Sequence, residues 1–532
     1  MSIGLLLLTL LPIAVILLML IVFKKSADIS GIIGLVVIAI IAYFAFNTSL
    51  EVIARSTLAG FVRSFSVSLI VAASLLQMAY MEKSGALKRI IIFIKTIAHD
   101  SRAVQIMIIN IGFGTLMVAV GATPVSLLPP ILIAMGYSTY MAIALPAIGY
   151  DSLCTYALLG APIVVFVDIA NSFLGKGNEI TLSQAGMIFF MFLPVVSTLI
   201  GFCMLWIVGR WKAVREGWLP CIISGAVIGC VAYVTNRFDN LVVLTGILCG
   251  IAVIIAMIVF LKATGKRVID RSHLTKEEIA FAKEYPLWKA ASPWILLIIL
   301  ILSLNVPKEM FNFLYREMKM PITGLTANGA PLDTRLLWQA YTWIFASIII
   351  SIPIVRPTAA QMKESLVIWL RRAPRPVFSA AIFFAIGEVM NMSGFDMTSK
   401  SFSMPSMVKV LADYSAQFFQ NAYGTIVAFI GLFGGFITGS EASTIAMFGK
   451  YTLTTAKNLN LGIEGLIIIT AGLAFGGGLA SVISPAKLQN AAASIDKMGS
   501  ETQVIRTAFI FSIFLSVVTS IFVTILLFVK AY

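Results

Sequence analysis

The feature that most constrains this chain is a series of apolar stretches, each about 20 residues long, that recur from Ile3 to Val529. A helix of that length crosses the ~30 Å hydrocarbon core of a bilayer. The chain of 532 residues is 59% hydrophobic and only 12% charged, which is far more apolar than a soluble globular protein. The sequence therefore predicts an all-α polytopic membrane protein with roughly 12–14 transmembrane segments.

The net charge of +14 would also suit a nucleic-acid-binding protein, but its distribution favours a membrane protein. Lys and Arg collect in a few short loops, as the positive-inside rule describes. Following the spans between these loops predicts an extracytoplasmic N-terminus and cytoplasmic loops at 261–290 and 356–375. The polar stretch 305–335 then falls outside. We expect a multi-pass protein of the cell membrane, with the lipid bilayer and no nucleic acid as a partner.

The polar segment 261–290 divides the chain into two transmembrane halves, 1–260 and 291–532, and is predicted to be a cytoplasmic linker. Three stretches of the first half resemble three of the second in the same order: 68–87 and 378–395, 111–130 and 431–448, 149–162 and 475–487. The loop charges place the first pair in opposite orientations. We therefore predict two inverted-topology repeats, as in many secondary transporters. Chance similarity between Gly- and Ala-rich spans is the alternative.

Each half contains one segment that cannot be an undisturbed helix, near 112–135 and near 433–450. The first holds "VGATPVSLLPP" (120–130), whose three prolines interrupt helical hydrogen bonding, and the second holds "TGSEAST" (438–444). Non-helical backbone at membrane depth is tolerated only when it is buried in protein or faces water. We predict two broken or re-entrant segments that meet tip to tip. Alternatively, their small residues only permit close helix packing.

Glu441 is the first candidate for ion coupling, because an acid inside a membrane span is costly and usually functional. It could carry a proton, or help to hold Na⁺ together with hydroxyl and carbonyl oxygens. Asp151 is the second candidate. Candidate substrate-binding residues are the polar and small residues of both breaks and a nearby cation: Gly121, Ala122, Thr123, Ser126, Thr438, Gly439, Ser440, Ser443, Ser484 and Lys487. Lys487 could bind a substrate carboxylate or extend to a membrane surface.

Three further charges lie in or near predicted spans. Glu388 could pair with a cation inside a helix. Arg63 and Lys450 are predicted to lie at the membrane interface.

The sequence lacks residues that are characteristic of several other classes of protein. Both histidines, His99 and His273, fall in predicted loops, so we expect no His-based metal site or catalytic dyad. A phosphate-binding G-x-x-x-x-G-K-[ST] stretch is absent, which disfavours an ATP-driven pump. Ser484 and Lys487 would be a Ser–Lys dyad if the protein were an intramembrane enzyme. A channel is a further alternative to a transporter. We expect no cofactor besides a coupling ion; monomer and homodimer both remain open.

The last third of the chain contains, in this order, the stretches "GLFGGFITGSEASTIAMF" (431–448), "GLAFGGGLASVISPAKLQNAAA" (472–493) and "SETQVIRTAFIFS" (500–512). Together these stretches resemble the L-lactate permease family. The resemblance implies import of lactate, and often glycolate, with protons across the cytoplasmic membrane of a bacterium or archaeon. The expected function is thus a secondary active transporter that imports a small monocarboxylate in symport with protons. A Na⁺-coupled carrier of another small organic anion is the alternative.

The chain departs from the pattern of this family at four places. Glu441 stands where members generally have Asp, and Ile445 where they tend to have Asn. The stretch "MVAVGATPVSL" (117–127) is shorter than its counterpart and lacks its acid. Ser481 replaces a lysine, while Lys487 follows Pro485. A different small organic anion therefore remains open as the substrate.

Overall fold

The computed structural model describes residues 3–530 except 99, 176, 273, 485, 486, 489, 490, 493 and 498, and it leaves the side chains of 126, 150, 151, 481, 501 and 502 undescribed. Within this part of the chain, 12 helical stretches are long and apolar enough to cross a membrane. One of them, Leu182–Thr235, has 54 residues and is interrupted at Gly209 and Arg210. The prediction of an all-α polytopic membrane protein is confirmed.

The first half consists of helices joined by short turns. They are α1 (Ile3–Ile21), α2 (Ala27–Ala45), α3 (Leu50–Arg63), α4 (Phe65–Lys83), α5 (Ala86–Lys95), α6 (Arg102–Ile106), α7 (Gly114–Ala119), α8 (Pro124–Ala134), α9 (Thr139–Gly149), α10 (Ala157–Leu174), α11 (Leu182–Phe189), α12 (Leu193–Thr235) and α13 (Thr245–Ala263). A π-helical turn, Met107–Phe113, joins α6 to α7, and 3₁₀ turns lie at Tyr150–Tyr156, Phe190–Phe192 and Val242–Leu244.

The rest of the chain begins with a short helix in the linker and adds two small strand pairs. Its helices are α14 (Lys276–Glu284), α15 (Leu287–Asn305), α16 (Lys308–Asn312), α17 (Ala340–Val355), α18 (Ala359–Arg372), α19 (Pro374–Met392), α20 (Met407–Phe419), α21 (Tyr423–Thr438), α22 (Glu441–Asn458), α23 (Ile463–Ala480) and α24 (Glu501–Lys530). Strands β1 (Met320–Ile322) and β2 (Leu332–Thr334) pair antiparallel, as do β3 (Phe395–Asp396) and β4 (Ser401–Phe402). Short turns lie at Phe313–Glu317, Gln420–Ala422 and Ser481–Ile483.

Both halves contain a helical hairpin at the predicted break. The first hairpin folds α8 back along α6 and α7, so that the Tyr137 hydroxyl reaches Gln105 Oε1 at 2.8 Å. The second hairpin folds α22 back along α21, which brings the rings of Tyr423 and Tyr451 to 6.2 Å between centroids. The turns at 120–123 and 439–440 are therefore the tips of the two hairpins.

A further helix runs beside the first arm of each hairpin. After the first hairpin, α9 and its 3₁₀ turn pass the π-helical turn Met107–Phe113 and α7, where Ser152 and Thr115 approach to 3.2 Å between hydroxyl oxygens. After the second, α23 packs along α21 and ends in the turn Ser481–Ile483. The order of hairpin, helix and 3₁₀ turn is thus common to both halves. The inversion of one half relative to the other stays a prediction.

Glycines bring α21 and α23 into backbone contact. An ideal Cβ on Gly431 would lie 2.0 Å from the carbonyl oxygen of Leu473, and one on Gly435 would lie 2.1 Å from that of Gly477. Only glycine fits at such distances, as in small-xxx-small packing between membrane helices. Close packing therefore accounts for these glycines, but it gives no reason for an acid at the neighbouring tip.

The linker 261–290 docks on the loop after α5. The backbone N–H of Ala98 donates to the Val268 carbonyl at 3.0 Å, and Lys95 forms an ion pair with Glu278 in α14. Although partial burial raises the pKa of Glu278, its hydrogen bonds, chiefly that from Lys95, leave this pKa below its usual value. The linker is thus tied to the first half by charge and by backbone bonds.

Candidate functional site

The tip of the second hairpin is formed by residues suited to ending one helix and starting another. Gly439 ends α21 in the left-handed conformation, with φ of +68°, which glycine adopts without a Cβ penalty. Ser440 is the N-cap of α22, and its Oγ accepts the N–H of Ser443. Glu441 follows as the first residue of α22, where a negative charge interacts favourably with the helix dipole.

The carboxyl group of Glu441, here named the tip carboxylate, is buried between three elements. The residue is 5% exposed, and its Oε1 accepts a hydrogen bond of 2.7 Å from Thr155 Oγ1 in the 3₁₀ turn of the first half. An ideal Cβ on Gly478 of α23 would lie only 2.8 Å from Oε2. Because Gly478 has no side chain, the tip carboxylate has room to lie beside α23.

Hydroxyl groups hold the turn beside the tip carboxylate. Thr438 Oγ1 donates to the Ser440 carbonyl at 2.9 Å and accepts the Ser440 N–H at 3.2 Å. Thr444 Oγ1 donates to the same carbonyl at 2.8 Å and lies 3.1 Å from Thr438 Oγ1. These hydroxyls fix the shape of the tip and place several oxygen atoms within a few ångströms of each other.

Ser484 also belongs to this site. An ideal Cβ on Gly439 would lie 3.3 Å from Ser484 Oγ, which puts the turn after α23 against the hairpin tip. The backbone N–H of Lys487 donates to the Ser484 carbonyl at 3.1 Å, and the Lys487 side chain is half-buried. The structure thus brings the candidates of the second hairpin together with Ser484, with Lys487 one turn further on.

The tip of the first hairpin lies against α4. Gly121 has φ of +89°, and an ideal Cβ there would overlap the hydroxyl of Ser74. The N–H of Ala122 donates to the Met117 carbonyl at 2.7 Å, and Thr123 precedes the first residue of α8. The side chains of two candidates, Ser126 and Asp151, lie outside the described residues.

The segment 150–160 lies between the two tips. Thr155 bonds to the tip carboxylate, and the Leu158 Cδ2 lies 3.4 Å from an ideal Cβ on Gly121. We expected 120–130 itself to meet the second tip; the hydrogen bond to Glu441 comes instead from Thr155. In the stretch 149–162 the sequence singles out Asp151 alone, because a hydroxyl such as that of Thr155 gives no separate signal.

The backbone of this segment is strained. Leu158 and Leu159 have φ of 52° and 55°, and Gly160 follows with 74°. The left-handed region costs a residue with a side chain about 1–2 kcal/mol. Strain of this kind persists where the surrounding packing enforces it and is concentrated at functional sites.

The groups at the second tip that could bind a cation include several oxygen atoms. Among the residues that the structure describes, no three side chains of His, Cys, Asp or Glu come close enough to hold a metal ion. The tip carboxylate and the hydroxyls of Thr155 and Thr438 would suit a proton or an alkali cation.

The fold and this site together define a class of protein. The chain is a multi-pass membrane protein in which two helical hairpins approach one interrupted segment, with a buried acid at one tip. The L-lactate permease family matches residues 6–530, and the chain belongs to that family.

Curated relatives match over most of their own length. The glycolate permease GlcA of Escherichia coli K12 is 24% identical, with 94% of this chain and 91% of the relative covered. The L-lactate permease of the same strain is 21% identical, with 82% and 81% covered. The L-lactate permease of Streptococcus iniae is 23% identical, with 85% and 91% covered. Among solved structures, MtrF of Neisseria gonorrhoeae matches at 14% identity and a TM-score of 0.41, with 88% of this chain and 82% of that chain covered. A likeness this weak indicates neither fold nor function.

Proposed function

We propose that this protein is a secondary active transporter, and not an enzyme, that imports a small monocarboxylate such as L-lactate or glycolate together with protons. Membership in the L-lactate permease family supports the substrate class, as do the names of the relatives. The observation that carries the proposal is the tip carboxylate, buried in a membrane protein and bonded to Thr155 across the two halves.

The proton is assigned to Glu441. An ionised carboxylate away from water is costly, and protonation removes that cost. A lactate anion that enters with one proton carries no net charge, so its entry does not oppose the membrane potential. Asp151 is the second candidate for the proton. It lies four residues before Thr155, in the same 3₁₀ turn.

The substrate carboxylate is assigned to the polar atoms around the two tips. In the second half these are Thr438, Gly439, Ser440, Ser443 and Ser484 with the cation of Lys487; in the first half they are Gly121, Ala122, Thr123 and Ser126. The N-terminal end of α22 adds the positive end of a helix dipole. The segment 150–160 contacts both tips, so a shift of either hairpin would change the site.

The distribution of basic residues supports the placement in the membrane. The Lys- and Arg-rich linker 261–290 is proposed to be cytoplasmic and the N-terminus extracytoplasmic, in the cell membrane. Na⁺ is the second candidate for the coupling ion, because Thr155 Oγ1 lies beside the tip carboxylate and the oxygen atoms of Thr438 and Ser440 belong to the same hairpin tip.

Uptake by the purified protein in liposomes tests the proposal. Labelled L-lactate is offered with an inward proton gradient, then with an inward Na⁺ gradient, and empty liposomes are the control. The proposal expects accumulation driven by protons and abolished by excess unlabelled L-lactate or glycolate. Accumulation driven by Na⁺ alone would establish the alternative ion. A folded preparation without uptake under either gradient would contradict the proposed substrate.

A further inference from the structure

A second group of buried charges lies apart from the hairpin tip. Arg63 at the end of α3 and Lys450 in α22 both face Glu388 in α19. Arg63 Nε is 3.7 Å and Lys450 Nζ is 3.9 Å from the same carboxylate oxygen, Oε2. Both distances exceed an ordinary hydrogen bond, so neither cation is tightly closed on the acid.

This cluster, Arg63–Glu388–Lys450, contains two basic side chains and one acidic side chain, which is a formal excess of one positive charge. Arg63 Nε is buried and has no hydrogen-bond acceptor among the described residues. Burial of an uncompensated charge is strongly unfavourable, whereas a further anion would balance this group. The excess charge therefore points to a missing anionic partner.

The cations are more accessible than the acid. The side chains of Arg63 and Lys450 are 24% and 20% exposed, whereas that of Glu388 is 9% exposed. Because Arg63 Nε itself is buried, a small anion would first meet the exposed part of each cationic side chain. A guanidinium presents several N–H donors in a planar fork that matches the two oxygens of a carboxylate.

The cluster is separate from the tip carboxylate. Glu441 precedes Lys450 by nine residues of α22, which is about 13 Å along a helix and two and a half turns, so the two side chains lie on opposite faces. Glu441 faces Gly478 of α23, and Lys450 faces α19. One anion cannot contact both groups at once.

We propose that the Arg63–Glu388–Lys450 cluster is a second anion site, which binds a small carboxylate between its two cations. The carboxylate supplies the acceptor that Arg63 Nε lacks and neutralises the excess charge. The choice of a carboxylate rests on the proposed function; the charge imbalance does not. In the transporter this site would hold a substrate anion on the face of α22 opposite the tip.

The charge arrangement predicts opposite effects for substitutions in one cluster. Arg63→Gln and Lys450→Gln each remove a cation and should weaken binding of the anion at this site about tenfold, given unit charges about 4 Å apart. Glu388→Gln removes the competing carboxylate and should tighten binding by a similar factor. An ion-pair cluster with a purely structural role would give no tighter binding in any variant.

Equilibrium binding of labelled L-lactate and labelled acetate to the full chain in lipid nanodiscs provides the test. The wild type should bind each anion at two classes of site, one of which responds to the three substitutions as stated. The control is Glu278→Gln, which removes a carboxylate paired with Lys95 outside the spans and should leave both classes unchanged.

The outcomes separate this inference from the proposed function. Absence of any saturable binding of acetate by the wild type would overturn the inference, even if variants fail to fold. So would folded variants that all bind as the control does. Failure of the proposed function would instead appear as absence of lactate uptake in liposomes, while the cluster would still bind acetate.

Discussion

The hydrogen bond between Thr155 and the tip carboxylate links the two halves and can be removed with little change in shape. Thr155→Val replaces the hydroxyl by a methyl group. A hydrogen bond to a charged group contributes about 1.5–3 kcal/mol, so its loss disfavours the ionised carboxylate by a factor of about 10 to 150. Net uptake requires Glu441 to release its proton in every cycle. We therefore expect proton-driven net uptake of L-lactate to fall at least tenfold.

Exchange of internal for external L-lactate separates this effect from a general defect. Exchange can proceed without proton release, so Thr155→Val should exchange at the rate of the wild type. Thr155→Ser keeps the hydroxyl and is the matched control, with both rates expected to be close to wild type. Net uptake by Thr155→Val as fast as that of the wild type would refute the reasoning, as would an equal loss of uptake and exchange.

Other substitutions test the neighbouring contacts and the linker. The Gly478→Ala variant should fold normally but take up L-lactate more slowly, because the added Cβ would press on the movable tip carboxylate 2.8 Å away. Net uptake and thermal unfolding are measured, and uptake at the wild-type rate would contradict the expectation. Arg335→Gln should lower the thermal midpoint of unfolding by removing two hydrogen bonds to Asp168, a loss of about 1–3 kcal/mol that is limited because Asp168 is 38% exposed. Burial lowers the pKa of Arg335, but Asp168 holds this pKa above its usual range, so the guanidinium stays charged. The fall in the thermal midpoint should therefore be the same at every pH from neutral to mildly alkaline. The pKa of Glu278 is lowered in the folded state mainly by Lys95, so its contribution to docking of the linker is present above about pH 4.3 and is lost as the pH falls through the lower folded value. Amide exchange in the linker, corrected for intrinsic rates, should show this loss, and protection that persists in acid would contradict it.

Much of the fold could be predicted because its causes are local. The length of each apolar stretch indicates a membrane-crossing helix, and the prolines and glycines at 120–130 and 438–444 indicate where helices break. Glu441 stood out because acids are rare in apolar spans. The hairpin turns at 120–123 and 439–440 follow from the same local signals.

The contacts that complete the site depend on tertiary packing and left no local signal. Thr155 and Glu441 are 286 residues apart, and a threonine in an apolar span usually bonds within its own helix. The left-handed conformation of Leu158 and Leu159 is also unexpected, since leucine has no preference for it.

The same limit applies to the second cluster of charges. The sequence predicts that Glu388 pairs with a cation, and the structure places both Arg63 and Lys450 beside it, because α3 and α22 each pack against α19. The identity of the two cations had no local signal, and their position at the membrane interface stays a prediction. Pairing of this kind between three helices cannot be derived from spacing along one of them.

The most direct test of the account is Glu441→Gln in liposomes, with exchange and accumulation measured on the same preparation. The amide cannot release or take up a proton, while its size and its contact with Thr155 are kept. The account predicts that lactate exchange persists and that accumulation driven by the proton gradient is abolished. Undiminished accumulation by this variant would contradict the assignment of the coupled proton to Glu441 and move it to Asp151 or another group.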